Sequence, residues 1–254
     1  MKRLSLFRRS GASQGSDGPA ERPRYGDYAG YTGYDASTKY TPYTLDSGYV
    51  GYHGFYAIID TEYLDWDRWV HVVPRDPDTH DEWRDIGAWC RQEASDLWED
   101  SGLDPGPGGV AYTATMLERC AEVFCPVGSN NDLFLRMTHP ADTPLPVLGV
   151  VRPSFGPREE TLRALTLADD PEAVEPPVTA SFTSPHLGEG LTTFRYIPQE
   201  DGANGLFACV RYAWQLTEPP AEMVLWTATD DTAQLLDAVE DIEELARTLR
   251  VYDP

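Results

Sequence analysis

Leu206-Phe207-Ala208-Cys209-Val210-Arg211-Tyr212-Ala213-Trp214-Gln215-Leu216, then Thr217-Glu218-Pro219-Pro220, then Ala221-Glu222-Met223-Val224-Leu225-Trp226-Thr227-Ala228-Thr229, is the stretch that decides the fold. Its first eleven residues put Leu206, Ala208, Val210, Tyr212, Trp214 and Leu216 on one face. Phe207, Cys209 and Ala213 fall on the other face, interrupted by Arg211 and Gln215. Alternation of this kind predicts a strand with one face fully buried and the other half-buried. Pro219 and Pro220 stop it, because proline cannot donate to a ladder. A link this short favours an antiparallel neighbour, Ala221 to Thr229.

A helix follows. Asp230 or Asp231 can cap it, and Leu235, Leu236, Val239, Ile242, Leu245, Ala246 and Leu249 form its apolar stripe. Asp237, Glu240, Asp241, Glu243 and Glu244 are expected on the wet face. Arg247 and Arg250 suit its C-terminal end, where the helix dipole favours cations. Two strands cannot bury such a helix alone, so the sheet must be completed upstream.

Candidate strands occur there at Gly54–Asp60, Trp69–Pro74, Leu133–Met137, Val147–Val151, Val178–Phe182 and Thr192–Ile197. Two helices separate the early strands from the later ones. Thr79-His80-Asp81-Glu82 reads as a capping box, followed by Trp83, Ile86, Cys90, Ala94 and Leu97 on one side, with Trp89 and Trp98 widening the stripe. The second helix runs from about Tyr112 to Phe124, with Met116, Leu117, Cys120, Val123 and Phe124 as its stripe. Residues 156–170 allow a short helix. The fold class is α+β: a mainly antiparallel sheet flanked by helices, forming one globular domain over residues 55–254.

Residues 1–54 read as a separate, low-complexity arm, disordered or extended. Tyr25, Tyr28, Tyr31, Tyr34, Tyr40, Tyr43, Tyr49 and Tyr52 share a single period-three register. That period fits neither a helix stripe nor strand alternation, whereas a polyproline-type segment would set the rings along one edge. Rings so displayed suit a groove on this protein or a partner, or weak multivalent self-association. A passive linker built from duplicated triplets gives the same spacing. These eight tyrosines are the candidate partner-binding residues.

Charge narrows the partners. The net charge is −22, from 20 Lys and Arg against 42 Asp and Glu. Residues 1–55 carry seven Lys or Arg and five Asp or Glu, so the acidic excess belongs to the body. Such a surface argues against nucleic-acid backbones, which demand clustered Lys and Arg, and suits a basic partner or the chain's own arm. No run of residues is apolar enough to span a membrane. Leu4, Leu6 and Phe7 between Lys2, Arg3, Arg8 and Arg9 allow weak peripheral membrane contact through residues 1–9, and a disordered basic start is the simpler reading. Cys90, Cys120, Cys125 and Cys209 lie in apolar patterns without metal-ligand spacing, which suits buried free thiols in a reducing, cytoplasmic setting. Arginines outnumber lysines eighteen to two, a composition typical of a GC-rich genome such as an actinobacterial one.

Residues 145–250 resemble the later part of the PsbP-like fold, which includes the Ran-binding Mog proteins and mycobacterial LpqN-type proteins. The likeness rests on Gly188-x-Gly190 before a strand, Phe207 to Leu216, Met223 to Thr229, and Leu235 to Leu249 ending in Arg247-Thr248-Leu249-Arg250. It implies an antiparallel sheet flanked by helices in a protein that binds or assembles others, and it supplies no active-site residue. The two helices between residues 79 and 124 depart from that family's pattern.

No nucleophile elbow, zinc-protease or dinucleotide-binding motif is present, and no cofactor is expected. The expected function is a non-enzymatic protein-binding or assembly module, contacting another protein or a second copy through its acidic body and tyrosine-rich arm. The alternative is a small cytoplasmic, hydrolase-like enzyme with a site near His186 or His139, drawing on Glu189 or Asp142. Cys90 with His71 or His186 would make a nucleophile–base pair, against a structural thiol on the helix stripe.

Overall fold

The computed structural model describes residues 41–44, 50–53, 57–61, 63–72, 86–125, 131–154, 156–199 and 205–252. In chain order the elements are β1 (Thr41–Thr44), β2 (Val50–His53), β3 (Ile58–Thr61), β4 (Trp69–Val72), α1 (Ile86–Ser101), α2 (Gly109–Phe124), β5 (Asn131–Arg136), β6 (Leu145–Pro153), α3 (Arg158–Thr166), β7 (Val178–Ser184), β8 (Gly188–Pro198), β9 (Leu206–Gln215), β10 (Ala221–Thr229), α4 (Thr232–Thr248) and β11 (Leu249–Tyr252). Seven strands form one sheet in the order β4-β5-β6-β10-β9-β8-β7, antiparallel at every pairing. Helices flank it, so the α+β antiparallel architecture read from the sequence is present.

The alternation in β9 sorts the core into layers. Ala208, Val210, Tyr212 and Trp214 pack with Leu235, Ala238, Ile242, Leu245 and Ala246 of α4. Over the β5–β6 half, this face also takes Ile59 of a small β3–β11 ribbon. The ribbon and the sheet approach closely at Gly149, where an added Cβ would lie 2.9 Å from Ile59 Cδ1.

The opposite face is buried more completely than the sequence suggests. α1 and α2 cover Val70, Val72, Leu133, Leu135 and Leu148, while Leu162 and Leu165 of α3 cover Ala213 and Val224. The short helix that residues 156–170 allow is therefore a covering element, closed by Leu167 in the left-handed region at φ 55°. Arg211, which breaks the apolar pattern, is buried there beneath α3. Leu206, expected on the buried face, is exposed at the strand's start.

α4 starts as expected. Asp231 is its N-cap, its side chain accepting from the Gln234 N–H at 3.0 Å. The stripe is rotated relative to the sequence reading: Leu236 is exposed, Val239 is half-buried, and Ala238 and Asp241 are buried. The cause is the neighbour at the helix edge: β5 presents an arginine to Asp241, so a carboxylate replaces an apolar contact. The helix ends at Thr248, and Leu249 already belongs to β11, which pairs with β3.

α2 begins three residues before the expected Tyr112, after Gly108 at φ 98°. Val123, expected in its stripe, is exposed, and Thr113 and Ala121 are buried instead. The capping box at residues 79–82 lies outside the described residues. β1 and β2 pair as an antiparallel hairpin, with Tyr43 opposite Gly51 and Tyr52 opposite Pro42, and β2 lies against β6. This end of the arm is thus β-paired rather than a polyproline-type segment. Tyr25, Tyr28, Tyr31, Tyr34, Tyr40 and Tyr49 lie outside the described residues, as do residues 1–9.

Candidate functional site

Among the described residues, three buried charged groupings punctuate the core besides the Arg152–Glu222 pair of β6 and β10 at 2.7 Å. The first joins the β3–β4 loop, β5 and α4. Arg136 Nε donates to Asp241 at 2.6 Å, and Arg136 Nη2 donates to the Asp237 carboxylate at 3.0 Å. Arg68 pairs with the other Asp241 oxygen and with Asp65. Asp237 and Asp241 are one helical turn apart, so both carboxylates reach the same guanidinium. A hollow of about 300 Å³ opens beside this network, between the β5–β6 loop and the start of α4. Its polar walls are already engaged: Asp142 accepts from Thr138 at 3.1 Å, Gln234 donates to the Thr143 carbonyl at 2.8 Å, and Asp231 caps α4. A carboxylate held in this way serves as a staple more readily than as an acid or base.

The second grouping is a His–Asp pair. His71 on β4 and Asp132 on β5 lie 2.9 Å apart, and the His71 ring stacks on Phe134 at 4.4 Å. Burial pushes the Asp132 pKa up, and the hydrogen bond and charge of His71 pull it part of the way back. Sequence reasoning missed this pair because it exists only once β4 and β5 are in register. The pairing considered from sequence, His71 with Cys90, is not made. Cys90 packs with Val70 and Val72 on the opposite face of the sheet from His71. All four cysteines are buried and none is in a disulfide, and burial pushes the Cys120 thiol up to about 12. A thiol so far from its thiolate form is a poor nucleophile.

The third lies under α3. Arg195 pairs with Asp170. Arg211 donates to the Leu165 carbonyl at 3.3 Å and stacks on Trp226 at 5.0 Å. Burial and the nearby Arg211 charge lower the pKa of Arg195. Both guanidiniums tie the end of α3 and the following loop to β8 and β9.

The two histidines of the enzyme reading lie in different halves of the sheet, His139 after β5 and His186 between β7 and β8. His139 Nδ1 accepts from the Ala141 N–H at 3.0 Å, and its ring meets Trp98 edge-on. His186 is exposed on a turn. Among the described residues neither has a carboxylate at ion-pair distance, so Asp142 and Glu189 are not their partners. Among the described residues, no group of three His, Cys, Asp or Glu is placed to hold a metal ion, and no helix is long and apolar enough to cross a membrane.

Four of the eleven exposed large apolar side chains among the described residues lie in or beside the ribbon, where it leads into β4. Tyr63 is 72% exposed, Trp66 62% and Ile58 53%, and Tyr252, opposite Ile58, is also exposed. Asp60, Asp65 and Asp67 are exposed in the same segment. A backbone turn fixes it: Asp65 accepts at its carbonyl from the Arg68 and Trp69 N–H groups, both at 3.0 Å, and at its side chain from the Asp67 N–H at 3.1 Å. Leu64 and Trp69 anchor the turn in the core, which leaves Tyr63 and Trp66 outside. In the sequence, Glu62, Asp65 and Asp67 around Trp66 read as an acidic loop between two strands, but the exposure of its aromatic residues is not legible there. No family model, curated protein or solved structure matches this chain.

Proposed function

We propose that this chain is a non-enzymatic, cytoplasmic protein-binding module whose segment 58–68 takes up a basic protein. The observation that carries this reading is Trp66, 62% exposed on a hydrogen-bonded turn between Asp65 and Asp67. An exposed tryptophan on a fixed turn offers apolar area at little entropic cost, as binding hot spots do. Its ring face attracts a Lys or Arg side chain, and the flanking carboxylates add to that attraction. Tyr63 extends the surface, and the charge of −22 steers a basic partner toward it.

The tyrosine-rich arm supplies a second contact surface in this reading. Its β1–β2 end is a hairpin that lies against β6. The resemblance of residues 145–250 to PsbP-like proteins, many of which bind or assemble other proteins, points the same way.

The test is affinity capture from the native cell extract with the full chain, compared with a Tyr63→Ala/Trp66→Ala variant. The wild type is expected to retain a basic protein that elutes as salt rises, and the variant to lose it. Equal retention by both chains, or no retained basic protein, would refute the reading.

A further inference from the structure

The seven-stranded sheet ends at β7, an edge strand with the sequence Val178-Thr179-Ala180-Ser181-Phe182-Thr183-Ser184. Among the described residues β7 pairs with β8 alone, in an unbroken one-to-one register from Val178↔Phe194 to Ser184↔Gly188. Among the described residues, no backbone group meets its outer N–H and C=O groups. Val178 is 69% exposed, and Thr179, Ala180, Ser181 and Thr183 are exposed too. Edge strands are commonly guarded by a lysine, an internal proline, a bulge or shortness. β7 has none of these, since its seven residues carry no charge and no proline. The opposite edge, β4, has only four residues.

We propose that β7 is the seam of a homodimer, pairing antiparallel with β7 of a second copy across a two-fold axis at Ser181. About that residue Thr179 mirrors Thr183, while the small Ala180 mirrors the large Phe182. Two-fold pairing sets Ser181 against Ser181, Ala180 against Phe182, Thr179 against Thr183 and Val178 against Ser184. On the α4 side, the exposed Ala180 gains the ring of Phe182, itself packed on Tyr212 and Trp214. On the other side, Thr179 and Thr183 form the Thr–Thr pairs that antiparallel ladders favour. No like charges meet in the seam. A neutral strand gives the basic partner of segment 58–68 nothing to recognise, whereas a self-complementary one suits an isologous contact. Two copies of charge −22 repel at a distance, so this dimer tightens as salt is raised, opposite to an acidic–basic contact.

Sedimentation equilibrium of the full chain over a concentration series, in low and high salt, tests the proposal. The wild type is expected to show a monomer–dimer equilibrium that salt strengthens. Ser181→Lys, at an exposed position that leaves the monomer folded by circular dichroism, sets two ammonium groups face to face. It is expected to weaken the dimer by about tenfold or more. The native cysteines are buried. In Ser181→Cys a short bis-maleimide is therefore expected to link two copies, and in Leu236→Cys, exposed on α4, it is not. A chain monomeric at every concentration overturns the proposal. So does a dimer indifferent to Ser181→Lys, or linking as efficient at position 236 as at 181. Loss of partner capture on changing Tyr63 and Trp66 leaves this dimer in place, so the two ideas fail separately.

Discussion

Asp241 of α4 accepts a hydrogen bond from Arg136 of β5 at 2.6 Å across 105 positions of sequence, with both side chains only 9% exposed. The bond fastens the middle of α4 to the sheet at the edge of the apolar stripe. Removing one partner leaves the other buried charge with a single solvent-exposed counter-ion, Asp237 for Arg136 or Arg68 for Asp241, so the loss approaches that of a broken buried pair, about 3–5 kcal/mol. Asp241→Leu is therefore expected to lower the urea midpoint strongly, and Arg136→Met likewise. The double variant recovers much of the loss, because two apolar side chains of similar size replace a desolvated pair. Additive losses in the double variant would show that the two residues do not act as a pair.

The rotation of the α4 stripe has a consequence for core mutations. Ile242 is fully buried among Leu235, Ala238 and Leu245. A carboxylate there has no partner, and its desolvation is comparable to the whole stability of a domain. Ile242→Asp is expected to unfold the protein. Val239, the position the sequence pattern marks as core, is half-buried, so an aspartate there can turn to water. Val239→Asp is expected to remain folded with a reduced but cooperative transition, monitored by circular dichroism on heating. Unfolding of the Val239 variant beside a folded Ile242 variant would reverse the assignment of faces.

Gly188 and Gly190, two residues apart, are glycines for different reasons. Gly188 sits at φ 76°, in the turn from β7 to β8, with open space around it. Gly190 is limited by space. A Cβ there would lie 2.4 Å from the Ala213 carbonyl oxygen and 2.7 Å from the ring of Trp214, its cross-strand partner. Neither the backbone oxygen nor a fully buried tryptophan can move aside cheaply. Gly190→Ala is expected to cost about 1–3 kcal/mol or more through overpacking, read by urea denaturation. The loss should appear together with an altered near-ultraviolet signal from Trp214. A neutral effect would mean that β8 and β9 separate more easily than their register suggests.

The β9–β10–α4 unit is legible in the sequence because each element there carries its own signal. Alternation marks the strands, Pro219 and Pro220 the break, Asp231 the cap, and Leu235, Ile242 and Leu245 the helix period. β11 is hidden because Leu249 satisfies the helix period and the strand equally well, and only pairing with β3 decides. α3 is ambiguous because Arg158, Glu159, Glu160 and Arg163 hold most of its length on the wet side, leaving Leu162 and Leu165 as its buried apolar contacts. The buried polar groupings are the least legible. Asp241 lies three positions past Ala238, on the buried arc, yet a carboxylate reads as surface until an arginine from elsewhere is known to meet it. The exposed face of Trp66 is equally hidden. The sequence places this tryptophan in an acidic loop, and only the Asp65 turn shows that its ring is aimed outward.

Asp132 gives the fold a pH dependence of definite sign. Burial raises its pKa more than the His71 hydrogen bond and charge lower it. A carboxyl group with a raised folded-state pKa binds its proton more tightly when folded. Its favourable contribution is therefore fully present below the unfolded value of about 3.9, and it is lost as pH rises through the folded value. Asp132→Asn keeps an oxygen to accept from His71 and cannot ionise. The variant is expected to gain stability relative to the wild type as pH climbs from about 4, levelling off once the wild-type carboxyl is fully ionised. Urea midpoints of both chains across that range, plotted as a difference, measure the effect directly. A difference that grows toward acid instead would mean that the attraction of His71 outweighs the burial of Asp132.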